Sequence, residues 1–179
     1  FTNVTVDDVF SCHDAKSIFM IPQMLYEQGL VDVVFKKFAK VGYTNTSKNW
    51  DNWNTIVNSL QKTDDAIKIA MIGKYVTLAD SYVSVNEALK HASASIGRSV
   101  NIDWIDSETL NGNLDQLQNF DGLLVPGGFG TRGSEGIIDT ATYALEKNIP
   151  YLGICFGFQL AAIAFGRKIC NLENANSTE

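Results

Sequence analysis

From residue 67 onward, short apolar runs alternate with stretches that repeat at helical spacing, and that alternation admits few folds. Ile67-Lys-Ile-Ala-Met-Ile-Gly73 reads as a buried strand. The stretch after it puts Tyr82, Val85, Leu89, Ala92 and Ile96 on one helix face, and Gly97 is a fitting stop signal. Val100-Asn-Ile-Asp-Trp-Ile105 is the next strand, and a short helical segment runs near Leu114 to Leu117. Gly122-Leu-Leu-Val125 is a third strand, closed by Pro126-Gly-Gly128. Ile137, Ala141, Ala144 and Leu145 mark another helix, which ends near Asn148 and Pro150. Tyr151-Leu-Gly-Ile154 is a fourth strand and runs straight into an apolar helix through Phe165. Strands alternating with helices imply an α/β fold, a parallel sheet with helices on both faces. In such sheets the sites form at the carboxyl ends of the strands.

The first 66 residues differ in character. Residues 1–40 mix a β-like stretch, Val4 to Phe10, with helical periodicity at Val31, Val34, Phe35 and Phe38. Residues 41–66 are rich in Asn, Thr, Ser, Lys and Asp and read as a linker. Within that linker Trp50, Trp53, Val57 and Leu60 recur at helical spacing, so the tryptophans are packing anchors rather than a stacking platform for bases. Lys36, Lys37 and Lys40 are the one short basic cluster, and with a formal charge of -6 they read as a solvated helix face, not a nucleic-acid patch. At 45% hydrophobic and 19% charged residues, the chain is too apolar for a disordered segment. Cys12, Cys155 and Cys170 form no CxxC pair, and their odd number and wide spacing favour a reducing compartment. Neither the cysteines nor His13 and His91 have metal-ligand spacing. No run is long and apolar enough to span a membrane, and no signal peptide is visible. A start at Phe1 and a polar end, Asn174-Ala-Asn-Ser-Thr-Glu179, lead to the expectation that one or both ends are cut.

The strongest chemical signal is Gly153-Ile-Cys-Phe-Gly157, a small-x-nucleophile-x-small pattern between a strand and a helix. A nucleophile on so sharp a turn needs small residues two positions away on either side, so that strand and helix can approach. The turn also sets the helix N-terminus beside the sulfur and aims the Phe156 amide at the oxyanion of an attacked carbonyl. A lone cysteine in a strand is more often a buried thiol; both glycines together with the strand-to-helix switch favour Cys155 as a nucleophile. The second signal is Pro126-Gly-Gly-Phe-Gly-Thr-Arg-Gly133, whose glycine density exposes backbone amides for binding. Gly128 is the candidate second oxyanion donor. A phosphate loop is the other reading of this run, although it has neither the Gly-Lys-Ser/Thr ending nor GxGxxG. Arg132 is either an anion contact or a solvated side chain, and Lys74, just past the first strand, is a ligand contact or a surface residue with equal weight. His91 reads as a helix-surface or packing residue. A cysteine nucleophile needs a general base, and neither histidine sits on a later strand end. The base is therefore expected beyond Glu179, unless the chain is not a hydrolase.

Gly153-Ile-Cys-Phe-Gly-Phe-Gln159 resembles the nucleophile motif of class I glutamine amidotransferases. Pro126-Gly-Gly-Phe-Gly-Thr-Arg-Gly-Ser-Glu-Gly136 resembles, within them, the CTP synthase family, as do Gly73-Lys-Tyr75, Asp80-Ser-Tyr82, Ala88-Leu-Lys-His91, Ile105-Asp-Ser107 and Asn174–Glu179. Ser17-Ile-Phe-Met-Ile-Pro22 and Gln28-Gly-Leu-Val-Asp32 are similar to the tail of that family's synthetase domain. The resemblance implies the end of a P-loop-like synthetase domain at 1–40, a linker at 41–66 and the first part of a glutamine amidotransferase domain at 67–179. It implies a cytoplasmic, tetrameric enzyme of pyrimidine biosynthesis that aminates UTP to CTP, using ATP, magnesium and ammonia drawn from L-glutamine, with GTP as activator. It makes Cys155 the nucleophile and places Gly128, Phe156, Gly157, Phe158, Gln159 and Glu179 on glutamine. His13, Asp14 and Ala15 fall on its adenine-contacting segment. That segment usually reads Lys-Asp-Val, which leaves backbone bonds as the shared contact, and Leu and Met usually stand where this chain has Phe156 and Phe158. The family's phosphate loop and magnesium carboxylates precede position 1 and its histidine and glutamate follow position 179, so residues 1–179 alone are expected to be inert. Two other readings stand beside this one: another class I amidotransferase, such as a GMP synthetase or carbamoyl-phosphate synthetase subunit, and a noncatalytic or redox-sensing module of the same fold.

Overall fold

The computed structural model describes residues 3–38, 50–62, 65–76, 78, 80–110 and 112–178. Lys40, the rest of residues 39–49, and Glu179 lie outside the described residues. The chain divides into two compact units, Phe1–Gln61 and Lys62–Glu179.

Among the described residues the first unit holds three short α-helices, α1 (Ile21–Glu27), α2 (Leu30–Lys37) and α3 (Asp51–Leu60). The expected β-like stretch is instead a 3-10 turn at Val6–Asp8, closed by the Thr5 hydroxyl on Asp8 at 3.1 Å. Valines favour strands only when a neighbouring strand gives them a face to pack on; here Val4, Val6 and Val9 are exposed. The helix expected from Val31 to Phe38 forms, with Val34 and Phe38 left exposed. The tryptophans anchor as expected. Trp50 meets Tyr26 edge-on at 5.3 Å, and the Trp53 indole N–H donates to the Phe19 carbonyl at 2.7 Å.

The second unit is a four-stranded parallel sheet in the order β2-β1-β3-β4. The strands are β1 (Ile67–Gly73), β2 (Val100–Asp106), β3 (Gly122–Val125) and β4 (Tyr151–Gly153). Between and after them run α4 (Val83–Ser95), α5 (Ser134–Lys147) and α6 (Phe156–Lys168), with 3-10 turns at Ser107–Leu110 and Asp115–Asn119. Alternate residues of each strand point to opposite faces, and each face has its own core. Ala70, Ile72, Leu123 and Val125 pack against Ile137, Ala141, Phe156 and Leu160 of α5 and α6. Met71 and Leu124 pack on the other face with Tyr82, Val85, Leu89 and Trp104. Complete burial of a side chain the size of Leu or Phe contributes about 1.5–3 kcal/mol, and Phe156, Leu160, Leu110 and Leu117 are all less than 2% exposed.

The buried face of α4 differs from the expected one. It follows Tyr82, Val85, Leu89, Ser93 and Ala94, while Ala92 and Ile96 are exposed. Ile96 is the C-cap, past the last helical turn, just before the chain enters β2 at Val100. Among the described residues no helix is long and apolar enough to cross a membrane.

The order of strands sets where a site can form. After β1 the chain moves outward to β2, and after β3 it moves the other way, to β4. The reversal lies between β1 and β3, and loops leaving adjacent strands on opposite faces open a crevice at their carboxyl ends there. The segments that leave those ends are Lys74-Tyr75 after β1 and Pro126–Gly133 after β3, with Cys155 one strand further on.

Candidate active site

Cys155 is the turn between β4 and α6. Its backbone lies at φ 54° and ψ -115°, a conformation that a residue with a Cβ adopts only under strain, about 1–3 kcal/mol. The surrounding structure imposes it. The Ile154 amide continues the β3 pairing through the Val125 carbonyl at 2.9 Å, while the Phe158 and Gln159 amides already bond the Cys155 carbonyl at 3.1 and 3.2 Å. Strand and helix meet with one residue between them, and both flanking glycines are sterically required. A Cβ on Gly153 would stand 2.6 Å from the Gly157 carbonyl carbon and the Phe158 nitrogen, and one on Gly157 would collide with the Val125 carbonyl. The Tyr151 hydroxyl ties the strand to the first helical turn by donating to the Gly157 carbonyl at 3.0 Å, and burial pushes its ionisation far above the ordinary tyrosine value.

This turn leaves the Cys155 side chain exposed while the Phe156 ring is 1% exposed. Phe156 can therefore face a ligand only through its backbone, and as the first residue of α6 its N–H is one of the amides a helix leaves without an internal acceptor. Gly157 is buried in the strand–helix contact, whereas Phe158 and Gln159 are exposed beside the cysteine. The glycine loop approaches from β3. The Cβ direction of Gly127 points at Cys155, 3.3 Å from its Cβ and 3.7 Å from its Sγ, and that of Gly128 points at Tyr75, 3.5 Å away. Gly133 and Gly136, by contrast, face Ser107, which a Cβ on either would overlap. Their absence of side chains serves the packing of α5 on the end of β2, not a ligand.

Lys74 is the residue the sequence left undecided. It is 4% exposed, packed between the glycine loop and the elbow. Its ammonium donates to the Gly130 carbonyl, lies 3.4 Å from the Ser134 hydroxyl and sits 4.7 Å from the centre of the Phe156 ring. A desolvated cation over an aromatic face contributes about 2 kcal/mol. Burial, and then the Arg132 charge, hold the Lys74 ammonium below its ordinary pKa. Arg132 donates to the Lys74 carbonyl at 2.6 Å and stacks over Tyr75, which makes it a structural tie as well as a cation. A lysine immediately after a buried strand was the available signal.

His91 is exposed on α4, as expected of a surface residue. His13 and Asp14 are exposed and Ala15 half-buried, in a stretch without regular structure in the first unit. Glu179 lies outside the described residues. The segment leading toward it is held by Arg167, which donates to the Ala175 carbonyl at 2.8 Å and forks onto Glu135 at 2.8 and 3.2 Å. Among the described residues Cys155 makes no side-chain hydrogen bond, and no group of three or more His, Cys, Asp or Glu could hold a metal ion. A groove of about 690 Å³ runs along β2, lined by Val100 to Trp104 with Lys68, Asn86 and Lys90, and Cys155 is not among its lining residues.

A strained cysteine between strand and helix, two glycines that permit it, and a glycine loop beside the sulfur form a sharp strand-to-helix elbow with an exposed thiol. Residues 77–178 match the family Glutamine amidotransferase class-I, and the chain belongs to that family. Within it the chain is similar to the CTP synthase of Methanopyrus kandleri, 40% identical over 182 residues that cover 99% of this chain and 34% of that protein. It thus spans about a third of that relative's length. Among solved structures it is similar to the glutaminase domain of Trypanosoma brucei CTPS with bound acivicin, at 36% identity and a TM-score of 0.59 over 64% of this chain and 46% of that one.

Proposed function

We propose that the protein releases ammonia from L-glutamine at Cys155 and delivers it to the ATP-dependent amination of UTP to CTP. The observation that carries the first half is the backbone of Cys155: a fold that needed only a buried thiol gains nothing from holding a residue with a Cβ at φ 54°. Cys155 Sγ attacks the side-chain amide carbon of glutamine. The negative charge moves to the carbonyl oxygen, where the amides of Phe156 and Gly128 stabilise it. Preorganised donors of this kind account for factors of about 10²–10³ each. The thiol proton, taken up by a general base, passes to the leaving nitrogen as the C–N bond breaks; ammonia leaves, and water hydrolyses the thioester to glutamate and free thiol. Phe158 and Gln159, exposed next to the sulfur, contact the glutamine, and Glu179 holds its α-amino group.

The second half rests on the similarity to CTP synthases. ATP phosphorylates the uracil O4 and ammonia displaces the phosphate; GTP activates the glutamine step. His13, Asp14 and Ala15 would meet the adenine through backbone atoms. The described residues offer magnesium no ligand cluster. The same similarity motivates a cytoplasmic homotetramer, with 1–40 as the end of the synthetase domain, 41–66 as linker and 67–179 within the amidotransferase domain. The test is conversion of UTP to CTP by the full-length protein with ATP, magnesium and GTP, with glutamine and ammonia as parallel nitrogen sources. CTP from both supports the proposal. CTP from neither, with the protein folded, contradicts the amination. Glutamate release without CTP leaves an amidotransferase that feeds a different acceptor.

A further inference from the structure

Lys74 touches both halves of the oxyanion site. Its stem packs on Gly128, with Cδ 3.8 Å from that residue's Cβ direction, and its ammonium lies over the ring of Phe156. The lacing with the loop runs both ways. The Lys74 side chain donates to the Gly130 carbonyl, and the Lys74 carbonyl accepts from Arg132 of the same loop. Gly130, at φ 97°, turns its carbonyl to accept both this ammonium and the Ser134 hydroxyl at 3.0 Å. Ser134 opens α5, so one ammonium joins the end of β1, the loop after β3, the start of α5 and the first residue of α6. An ammonium is rarely buried without a task, because desolvation penalises its charge.

We propose that Lys74 is a positioning residue of the amidotransferase site, fixing the glycine loop against the elbow so that the Gly128 and Phe156 amides keep the spacing the oxyanion requires. The inference rests on the amidotransferase reading of Cys155. A donor pair held for the transition state acts on the chemical step rather than on ground-state binding. Losing the lysine should therefore lower kcat and leave KM nearly unchanged.

The experiment compares full-length wild type, Lys74→Met and Lys74→Arg in glutamine hydrolysis, with the unfolding temperature of each measured in parallel. Methionine retains most of the apolar stem and removes the donor; arginine restores charge and donors. The expected result is a kcat at least about tenfold lower in Lys74→Met with KM within about twofold, and substantial recovery in Lys74→Arg. If Lys74→Met does not fold, Lys74→Gln, which is uncharged and too short to reach both partners, is measured by the same split. Unchanged kcat in a folded variant overturns the proposal. So does a loss of activity that tracks unfolding temperature and that arginine does not rescue, which would mark a merely structural residue. Wild type that releases no glutamate overturns the amidotransferase reading, and this inference with it.

Discussion

Replacing Gly153 by alanine adds one methyl group at the tightest point of the elbow. The new Cβ would stand 2.6 Å from the Gly157 carbonyl carbon and the Phe158 nitrogen, 0.8 Å short of the 3.4 Å at which ordinary contact begins. Both obstacles are backbone of α6, so no side chain can rotate away. The first turn of the helix must shift by most of that distance, against the Tyr151 bond to Gly157 and the contact of Gly157 with Val125. Overpacking of this kind costs about 1–3 kcal/mol. The unfolding temperature falls accordingly. The functional loss should be larger, because displacement of a reacting group by about 1 Å costs roughly a hundredfold in rate. Glutamine hydrolysis by full-length Gly153→Ala, with thermal unfolding in parallel, measures both. A control exists in Gly97→Ala, where the backbone is at φ +74° and nothing lies within 4 Å of the new Cβ. That change should cost about 1–2 kcal/mol of backbone strain and leave glutamine hydrolysis unaltered. Wild-type rate and unfolding temperature in Gly153→Ala would refute the steric account of the elbow.

Cys155→Gly should be more stable than Cys155→Ala by about 1 kcal/mol, since both lose the thiol but only glycine relieves the positive φ; equal denaturation midpoints would show that the turn is unstrained. Lys74 should shape the pH dependence of stability. Its folded pKa lies below the ordinary 10.5, so between that depressed value and 10.5 the unfolded chain binds more protons and stability rises with pH. Urea midpoints in the alkaline range below 10.5 should therefore climb more steeply in wild type than in Lys74→Met, and parallel slopes would contradict a desolvated ammonium.

What could be read from the sequence was what local sterics and burial dictate. Strand β1 runs from Ile67 to Gly73 as expected because a run apolar on both faces has no other stable place in an α/β fold. Gly153 and Gly157 revealed the elbow because the turn excludes a Cβ on either side of Cys155. What escaped depends on partners far along the chain. Lys74 is buried by a loop carbonyl 56 residues later, at Gly130, and no window around Gly73-Lys-Tyr75 carries that information. Gly133 and Gly136 lie in the same glycine-rich run as Gly127 and Gly128, yet one pair faces Ser107 and the other faces Cys155 and Tyr75; composition cannot separate them. The valines of Val4–Phe10 had the propensity for a strand but, among the described residues, no strand to pair with.

The central claim, that Cys155 supplies ammonia and does nothing else in synthesis, is tested most directly by full-length Cys155→Ala assayed for CTP formation from UTP and ATP with either nitrogen source. The account predicts that glutamine-dependent CTP formation disappears while ammonia-dependent formation stays at the wild-type rate. Glutamine-dependent synthesis that survives the substitution would contradict it, as would loss of the ammonia-driven reaction in a folded variant.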